Sequence, residues 1–156
     1  MKIENGRLTI VEIADIHNDT IDIPKTCESI STFAFDKMEE LIHTIIIPST
    51  VKEIDPTTFT EFKNLYSCVF QNDVCKFGRS LFANCKNLTI VKLPDYLTKI
   101  PINCFENCVS LRQIHIPDKV REITIAQFKG CINLDTIYWK DKIYSYDDLK
   151  EYKIFK

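Results

Sequence analysis

The 156-residue chain predicts an α/β solenoid, a single stack of short coils that each supply one strand and one helical turn or loop. Three observations carry this reading. Apolar residues recur with a period of 23 residues, each unit alternates inward and outward residues ahead of a proline, and the pattern breaks at the two ends.

The period is legible in several columns at once. Leu65, Leu88, Leu111 and Leu134 fall 23 apart, with Leu41 placed 24 before the first of them. Ile21, Ile45, Cys68, Val91, Ile114 and Ile137 form a second column, and Ile23, Ile47, Phe70, Leu93, Ile116 and Trp139 a third. Cys27, Val51, Val74, Leu97, Val120 and Ile143 follow, then Ile30, Ile54, Phe77, Ile100 and Ile123. Phe35, Phe59, Phe82, Phe105 and Phe128 make an aromatic column. A unit this short cannot bury its apolar face alone and must stack on its neighbours.

Each unit resolves into elements. In the unit that opens at Leu111, Ile114 and Ile116 point inward while Gln113 and His115 point outward, the alternation of a short strand. Pro117 closes that strand by removing a ladder donor, as Pro24, Pro48 and Pro94 do in theirs. Val120 and Ile123 bury the returning segment, and residues 125–129 read as one short helical turn that carries Phe128 inward. Asn64, Asn87, Ser110 and Asn133 precede the anchor leucines, where short polar side chains bond nearby backbone groups and satisfy buried amides along the stack.

The runs Leu88-Thr89-Ile90-Val91-Lys92-Leu93-Pro94 and Phe105-Glu106-Asn107-Cys108-Val109-Ser110-Leu111, with the equivalent run from Leu111 to Leu134, resemble the BspA-like class of leucine-rich repeats. The shared pattern is an aromatic, two residues, a cysteine, two residues and a leucine, followed by an isoleucine pair and proline. The unit from Leu41 departs by carrying Phe62 for the cysteine, and the unit from Leu65 by carrying Asn72 for the proline and Cys68 for an aliphatic residue. The resemblance covers roughly residues 19–140. It implies a right-handed leucine-rich repeat superhelix with short parallel strands on the concave side and short helical turns or loops on the convex side. It also implies roles in adhesion and protein–protein binding, although folds of this kind do not fix an activity.

The ends read as caps. Within residues 1–18, Asn5-Gly6 between two strand-like runs favours a two-residue type I′ hairpin. Residues 19–140 hold the repeats, and residues 141–156 read as a short amphipathic cap in which Ile143, Leu149, Tyr152, Ile154 and Phe155 sit among charges.

Composition excludes several classes of function. A net charge of −2 without a Lys/Arg block lacks the footprint of a nucleic-acid binder, and no apolar stretch approaches membrane-spanning length. Three glycines cannot supply a Gly-rich phosphate loop. Seven cysteines are many, but Cys85, Cys108 and Cys131 occupy one column, shared with Phe62 and Met38, and behave as small buried hydrophobes. Stacked parallel Cβ vectors suit a disulfide poorly, so free thiols are expected. Free thiols and the absence of an apolar N-terminal run predict a cytoplasmic or otherwise intracellular protein, while the resemblance leaves cell-surface presentation open.

No metal or cofactor site is expected. His17, His43 and His115 have no i, i+4 partner, and neither Cys104/Cys108 nor Cys68/Cys75 has zinc-site spacing. Asp15, Asp19 and Asp22 lack the glycine of a calcium loop and read as a solvated edge. Cys104, just outside the cysteine column, is the best candidate nucleophile, and its inert reading is favoured.

The functional candidates are therefore the outward strand positions. One column is Thr20, Thr44, Ser67, Ile90, Gln113 and Thr136; the other is Asp22, Ile46, Val69, Lys92, His115 and Tyr138. Ile46, Val69 and Ile90 are apolar where a solvated face is ordinarily polar, Asp22, Lys92, His115 and Tyr138 rim them, and Gln113 joins them as a binding candidate. The expected role is non-catalytic recognition of a protein partner on the concave sheet, by a monomer. The rivals are a structural or self-associating repeat protein and, least favoured, a thiol-dependent enzyme or redox sensor.

Overall fold

The computed structural model describes residues 1–71 and 76–151. The readings placed on Asn72, Val74, Cys75, Tyr152, Ile154 and Phe155 lie outside the described residues. The strands run in chain order as β1 Lys2–Glu4, β2 Arg7–Ile10, β3 Thr20–Asp22, β4 Ser29–Ile30, β5 Thr44–Ile47, β6 Glu53–Ile54, β7 Ser67–Phe70, β8 Lys76–Phe77, β9 Ile90–Lys92, β10 Gln113–His115, β11 Thr136–Trp139 and β12 Lys142–Tyr144. One α-helix, α1 Tyr146–Glu151, follows, and single 3-10 turns occupy Ile13–Asp15 and Ile125–Gln127. The chain is a solenoid of six strand-bearing coils, led by β3, β5, β7, β9, β10 and β11.

Three sheets run along the stack. On the concave side β3, β5, β7 and β9 are parallel and in register, with Ile21, Ile45, Cys68 and Val91 side by side. A second concave sheet holds β10 and β11 in parallel. No ladder joins β9 to β10, so the expected continuous sheet is interrupted between the fourth and fifth coils. Val91, inward by pattern, is only half-buried at this step, whereas the rest of its column is buried.

The third sheet, on a second flank, is one the repeat pattern did not suggest. There β2, β4, β6 and β8 are parallel, and Ser31, Asp55 and Gly78 donate their N–H to Leu8, Ile30 and Ile54. The next residue in that position is Pro101, which has no N–H to give, and the sheet stops at β8. Gly78 is needed at the closest approach, since a Cβ there would lie 2.1 Å from Pro56 N.

Turn geometry explains the spacing of the convex residues. Cys108 N–H donates to Phe105 O and Leu111 N–H to Cys108 O; Phe82-Cys85-Leu88 and Phe128-Cys131-Leu134 repeat this. Successive i→i+3 turns put every third side chain on the inner face, which is why aromatic, cysteine and leucine stand three apart. Lys37, Glu61, Asn84, Asn107 and Gly130, one per coil, all have left-handed backbone. Left-handed backbone turns the N–H groups of Glu61, Asn84 and Asn107 onto carbonyls of the following coil.

The core contains the aromatic column. Phe82 stacks on Phe105 at 5.6 Å and Phe105 on Phe128 at 5.5 Å, with interplanar angles of 8° and 5°. Phe62, standing for the cysteine, turns its neighbours edge-on: Phe35 meets Phe59 at 70° and Phe62 at 74°. The three column cysteines are fully buried, and their S–H groups donate to Phe59, Phe82 and Phe105 carbonyls of the preceding coil at 2.9, 3.1 and 2.9 Å.

Three expectations need correction. Leu41 is not the anchor of its unit: it is 40% exposed, while Ile42 is fully buried and stands 23 before Leu65. The extra residue of that coil is Leu41 itself, pushed into solvent. Cys104 does stand outside the cysteine column, and with Ala34, Thr58, Leu81 and Gln127 it forms a further buried column. Ile143 does not continue the column of Val120: it is 69% exposed, because Lys140 and Asp141 make a left-handed two-residue turn and β12 returns antiparallel to β11. The asparagines ahead of the leucines do not serve buried amides: exposed Asn64, Asn87 and Asn133 donate to carbonyls of the preceding coil at 2.7, 2.7 and 2.8 Å.

The ends are covered. Asn5 and Gly6 both have positive φ, and the β1–β2 hairpin extends the second-flank sheet, burying Leu8 and Val11 and tying Arg7 to Asp55 two coils on. At the other end Ser145 and Asp148 form a reciprocal cap, Leu149 is buried, and Tyr146 Oη accepts from Gly130 N–H at 2.9 Å.

Burial pushes the thiols of Cys85 and Cys131 up to about 12, and the backbone groups of Phe62 and Cys108 beside them offset only part of the desolvation. Cys27, Cys104 and Cys108 are raised as well, by desolvation first. The folded state thus holds these protons when the unfolded chain, with thiols near pH 8.5, releases them. The thiols' contribution to stability is fully present below about pH 8.5 and is lost as pH rises beyond it.

Four outcomes follow from this architecture. Ile42→Ala is expected to cost about 2–5 kcal/mol in denaturant unfolding, and Leu41→Ala to stay within about 0.5 kcal/mol. Removing residues 1–17 exposes the surface under Leu8 and Val11, and, at about 1.5–3 kcal/mol per buried side chain, should lower the melting temperature by at least about 4 °C. In the native state a bulky thiol reagent should leave Cys27, Cys68, Cys85, Cys104, Cys108 and Cys131 unmodified. Melting temperature should fall between pH 8.5 and 10.5, less steeply in Cys131→Ala than in the parent chain.

Candidate binding face

The concave strands bring the two outward columns onto one surface because side chains alternate along each strand and register is kept between coils. Ladder pairing places Thr20, Thr44, Ser67 and Ile90 in one row and Asp22, Ile46, Val69 and Lys92 in the other. Across the interruption, Gln113 lies beside Thr136 and His115 beside Tyr138. Asp22, Ile90, Lys92, Gln113 and His115 are exposed; Ile46, Val69 and Tyr138 are half-buried by their neighbours. Ile90 is 47% exposed at the middle of the surface. His115 and Tyr138 stack ring on ring at 4.3 Å and 15°, which makes one flat aromatic unit of two coils.

A third outward column escaped the sequence reading. Asp19, His43, Tyr66, Thr89, Arg112 and Asp135 stand one residue ahead of the first column, at the same step. Asp19, His43, Tyr66 and Arg112 each offer a carbonyl that accepts two N–H groups from the next coil, so the backbone is fixed and the side chain is left on the surface. Tyr66 is 50% exposed and adjoins Ile90. Arg112 reaches Asp135 at 3.8 Å and His43 reaches Asp19 at 3.5 Å. The signal was available in the period, but residues before a strand are ordinarily read as turn.

Other candidates separate. Asp15 accepts from Glu12 N–H and pairs with the Met1 amino group, Asp19 faces His43, and Asp22 points out from β3. Among the described residues no group of three or more His, Cys, Asp or Glu is arranged to hold a metal ion. Cys104 is fully buried, with its thiol raised by desolvation and no base beside it among the groups that act on it. Among the described residues no helix is long and apolar enough to cross a membrane.

Comparison with known proteins agrees with this geometry. No functionally curated protein matches the chain. A leucine-rich cell surface protein of Faecalibacterium prausnitzii A2-165 is 25% identical with a TM-score of 0.71, over 80% of this chain and 33% of that one. Leucine-rich repeat proteins of Eubacterium ventriosum and Bacteroides capillosus both have TM-scores of 0.50, at 20% and 25% identity. The former match covers 81% of this chain and 46% of that one, and the latter 86% of each. The chain thus spans a third of the Faecalibacterium protein and under half of the Eubacterium one. The model of the BspA-type leucine-rich repeat region matches in six copies over residues 14–135, and such repeats point to a protein-interaction or structural role. Period, turn chemistry and parallel concave strands agree with that match, and the chain belongs to the BspA-type leucine-rich repeat family.

Proposed function

We infer that the chain is a non-catalytic protein-recognition module whose partner docks on the concave face. The observation that carries this is that Ile90 and Tyr66, 47% and 50% exposed and joined by the Ile90 N–H to Tyr66 O bond, lie at the centre of a surface rimmed by charges. Exposed apolar groups inside a polar rim have the composition of an interface, and tyrosine is favoured at its energetic centre. The buried, proton-holding thiols support a non-catalytic reading, because the thiolate is the nucleophile.

Burial also weakens the argument from free cysteines to an intracellular site, since an inaccessible thiol is insensitive to its compartment. The Faecalibacterium relative is described as a cell surface protein, which supports surface presentation. Protease treatment of intact cells distinguishes the two locations.

Replacing Lys92, His115 and Tyr138 together by alanine is expected to leave the far-UV spectrum unchanged and to lower partner affinity at least about tenfold, or about 1.4 kcal/mol. Glu106→Ala and Lys129→Ala remove an exposed convex ion pair of 2.9 Å and serve as controls. Loss of binding in the controls but not in the triple variant would move the site to the convex side.

A further inference from the structure

Charge is distributed unevenly along the concave face. Its first coil carries Asp19 and Asp22, both exposed, and no base in the outward columns. The fourth and fifth coils carry Lys92 and Arg112, with His115 beside them, and no acid. Between these ends lie Ile46, Tyr66, Val69 and Ile90. The acidic end and the basic end are two coils either side of the coil led by β7, which carries Tyr66, Ser67 and Val69 and no charge in these columns.

The first and fifth coils of a surface with this order are complementary to each other. A two-fold axis running along β7 turns one copy over onto another, coil one meeting coil five and coil two meeting coil four, while each residue stays opposite its own column. Asp19 then faces Arg112, Asp22 faces His115, and Thr44 faces Ile90. Val69 and Tyr66 meet their own counterparts at the axis. The sixth coil's Asp135 falls opposite the segment that carries His17, itself bridged to Thr20. The present Arg112–Asp135 contact, 3.8 Å between side chains both 71% exposed, is weak enough in water to be exchanged.

We propose that two copies of this chain associate concave face to concave face about that axis, a pairing that rests on the reading of this face as the recognition surface. An isologous contact needs one self-complementary patch and closes at two copies. Each charge pair occurs twice, so the electrostatic fit is doubled, and opposite charges on a rim favour encounter and register. Six strands at about 4.8 Å spacing give a platform only roughly 25 Å long, which is below the standard interface size. The pairing is therefore a weak one, populated at about 0.1–1 mM of chain.

Sedimentation velocity of the full chain across that concentration range, at low and high salt, tests it. The expected result is a reversible monomer–dimer equilibrium that salt weakens. Arg112→Glu sets two acids against each other and Asp19→Lys two bases; each should weaken dimerisation at least about tenfold. The double variant Asp19→Lys/Arg112→Glu restores both contacts and should return to within about threefold of the parent. Lys37 already holds left-handed backbone in this chain, so a lysine at left-handed position 19 is sterically tolerable. Val69→Asp places two acids at the axis and should abolish the dimer, with melting temperature confirming the fold; should Asp19→Lys fail that check, Arg112→Glu and Val69→Asp carry the test. A monomer at every concentration, or a dimer indifferent to these variants, overturns self-pairing. If the chain is monomeric while the Lys92/His115/Tyr138 variant still loses a different bound protein, self-pairing alone has failed and the concave reading stands.

Discussion

The carbonyl oxygen of Phe105 accepts two hydrogen bonds, one from Cys108 N–H in its own coil at 3.1 Å and one from Cys131 S–H in the next at 2.9 Å. Phe82 O does the same with Cys85 N–H and Cys108 S–H. This shared acceptor ties the turn that shapes a coil to the contact that stacks it. Coil shape and coil spacing therefore cannot vary independently. The residue at the cysteine position must be small enough to let phenylalanines stack and must hold a donor that reaches 26 residues back. Where Phe62 fills the position both conditions lapse, and the neighbouring rings turn edge-on. The S–H bond is a second one to a carbonyl that already holds the turn N–H, so the cysteine position adds a polar preference to an apolar requirement.

That registration also arranges the outer surface. Concave strands pair in register because the coils behind them are locked, and rows such as Asp22-Ile46-Val69-Lys92 are the visible result. The strand itself contributes little more than direction. Specific chemistry comes from the free choice of residue at each outward position, which the stack does not constrain. Hence a fold shared with distant bacterial proteins can carry a charge order of its own.

The inward columns were legible because one side chain per coil recurs with full burial, and the Asn5-Gly6 hairpin because its turn needs two residues that accept positive φ. The misread anchor has a physical cause. Leu41 and Ile42 are both aliphatic, and only the one-residue insertion between Met38 and Ile42 decides which faces in. The left-handed column was hidden because Lys37 and Glu61 occupy it beside the more suggestive Asn84, Asn107 and Gly130. The second-flank sheet was invisible because strands of two residues leave no alternation to detect, although Pro101 marks where it must end. On the outer face Ile46, Val69 and Ile90 could be recognised by breaking a polar pattern. Tyr66 could not, because its exposure depends on where the strand begins.

The interruption between β9 and β10 bears on how the molecule would yield to force. Coils one to three are bound through both the concave sheet and the second-flank sheet, and coils five and six share a sheet of their own. Between coils four and five the main-chain links are those on the convex side, from Asn103, Phe105 and Asn107 to the next turn, and the bond from Arg121 to Thr98. Repeat stacks open at their weakest interface rather than as a whole. Tension applied along this one would open it like a hinge at the concave side of that step. The result is a stiff stack of four coils and one of two joined by a pliant convex seam, rather than a rod that frays from its tips.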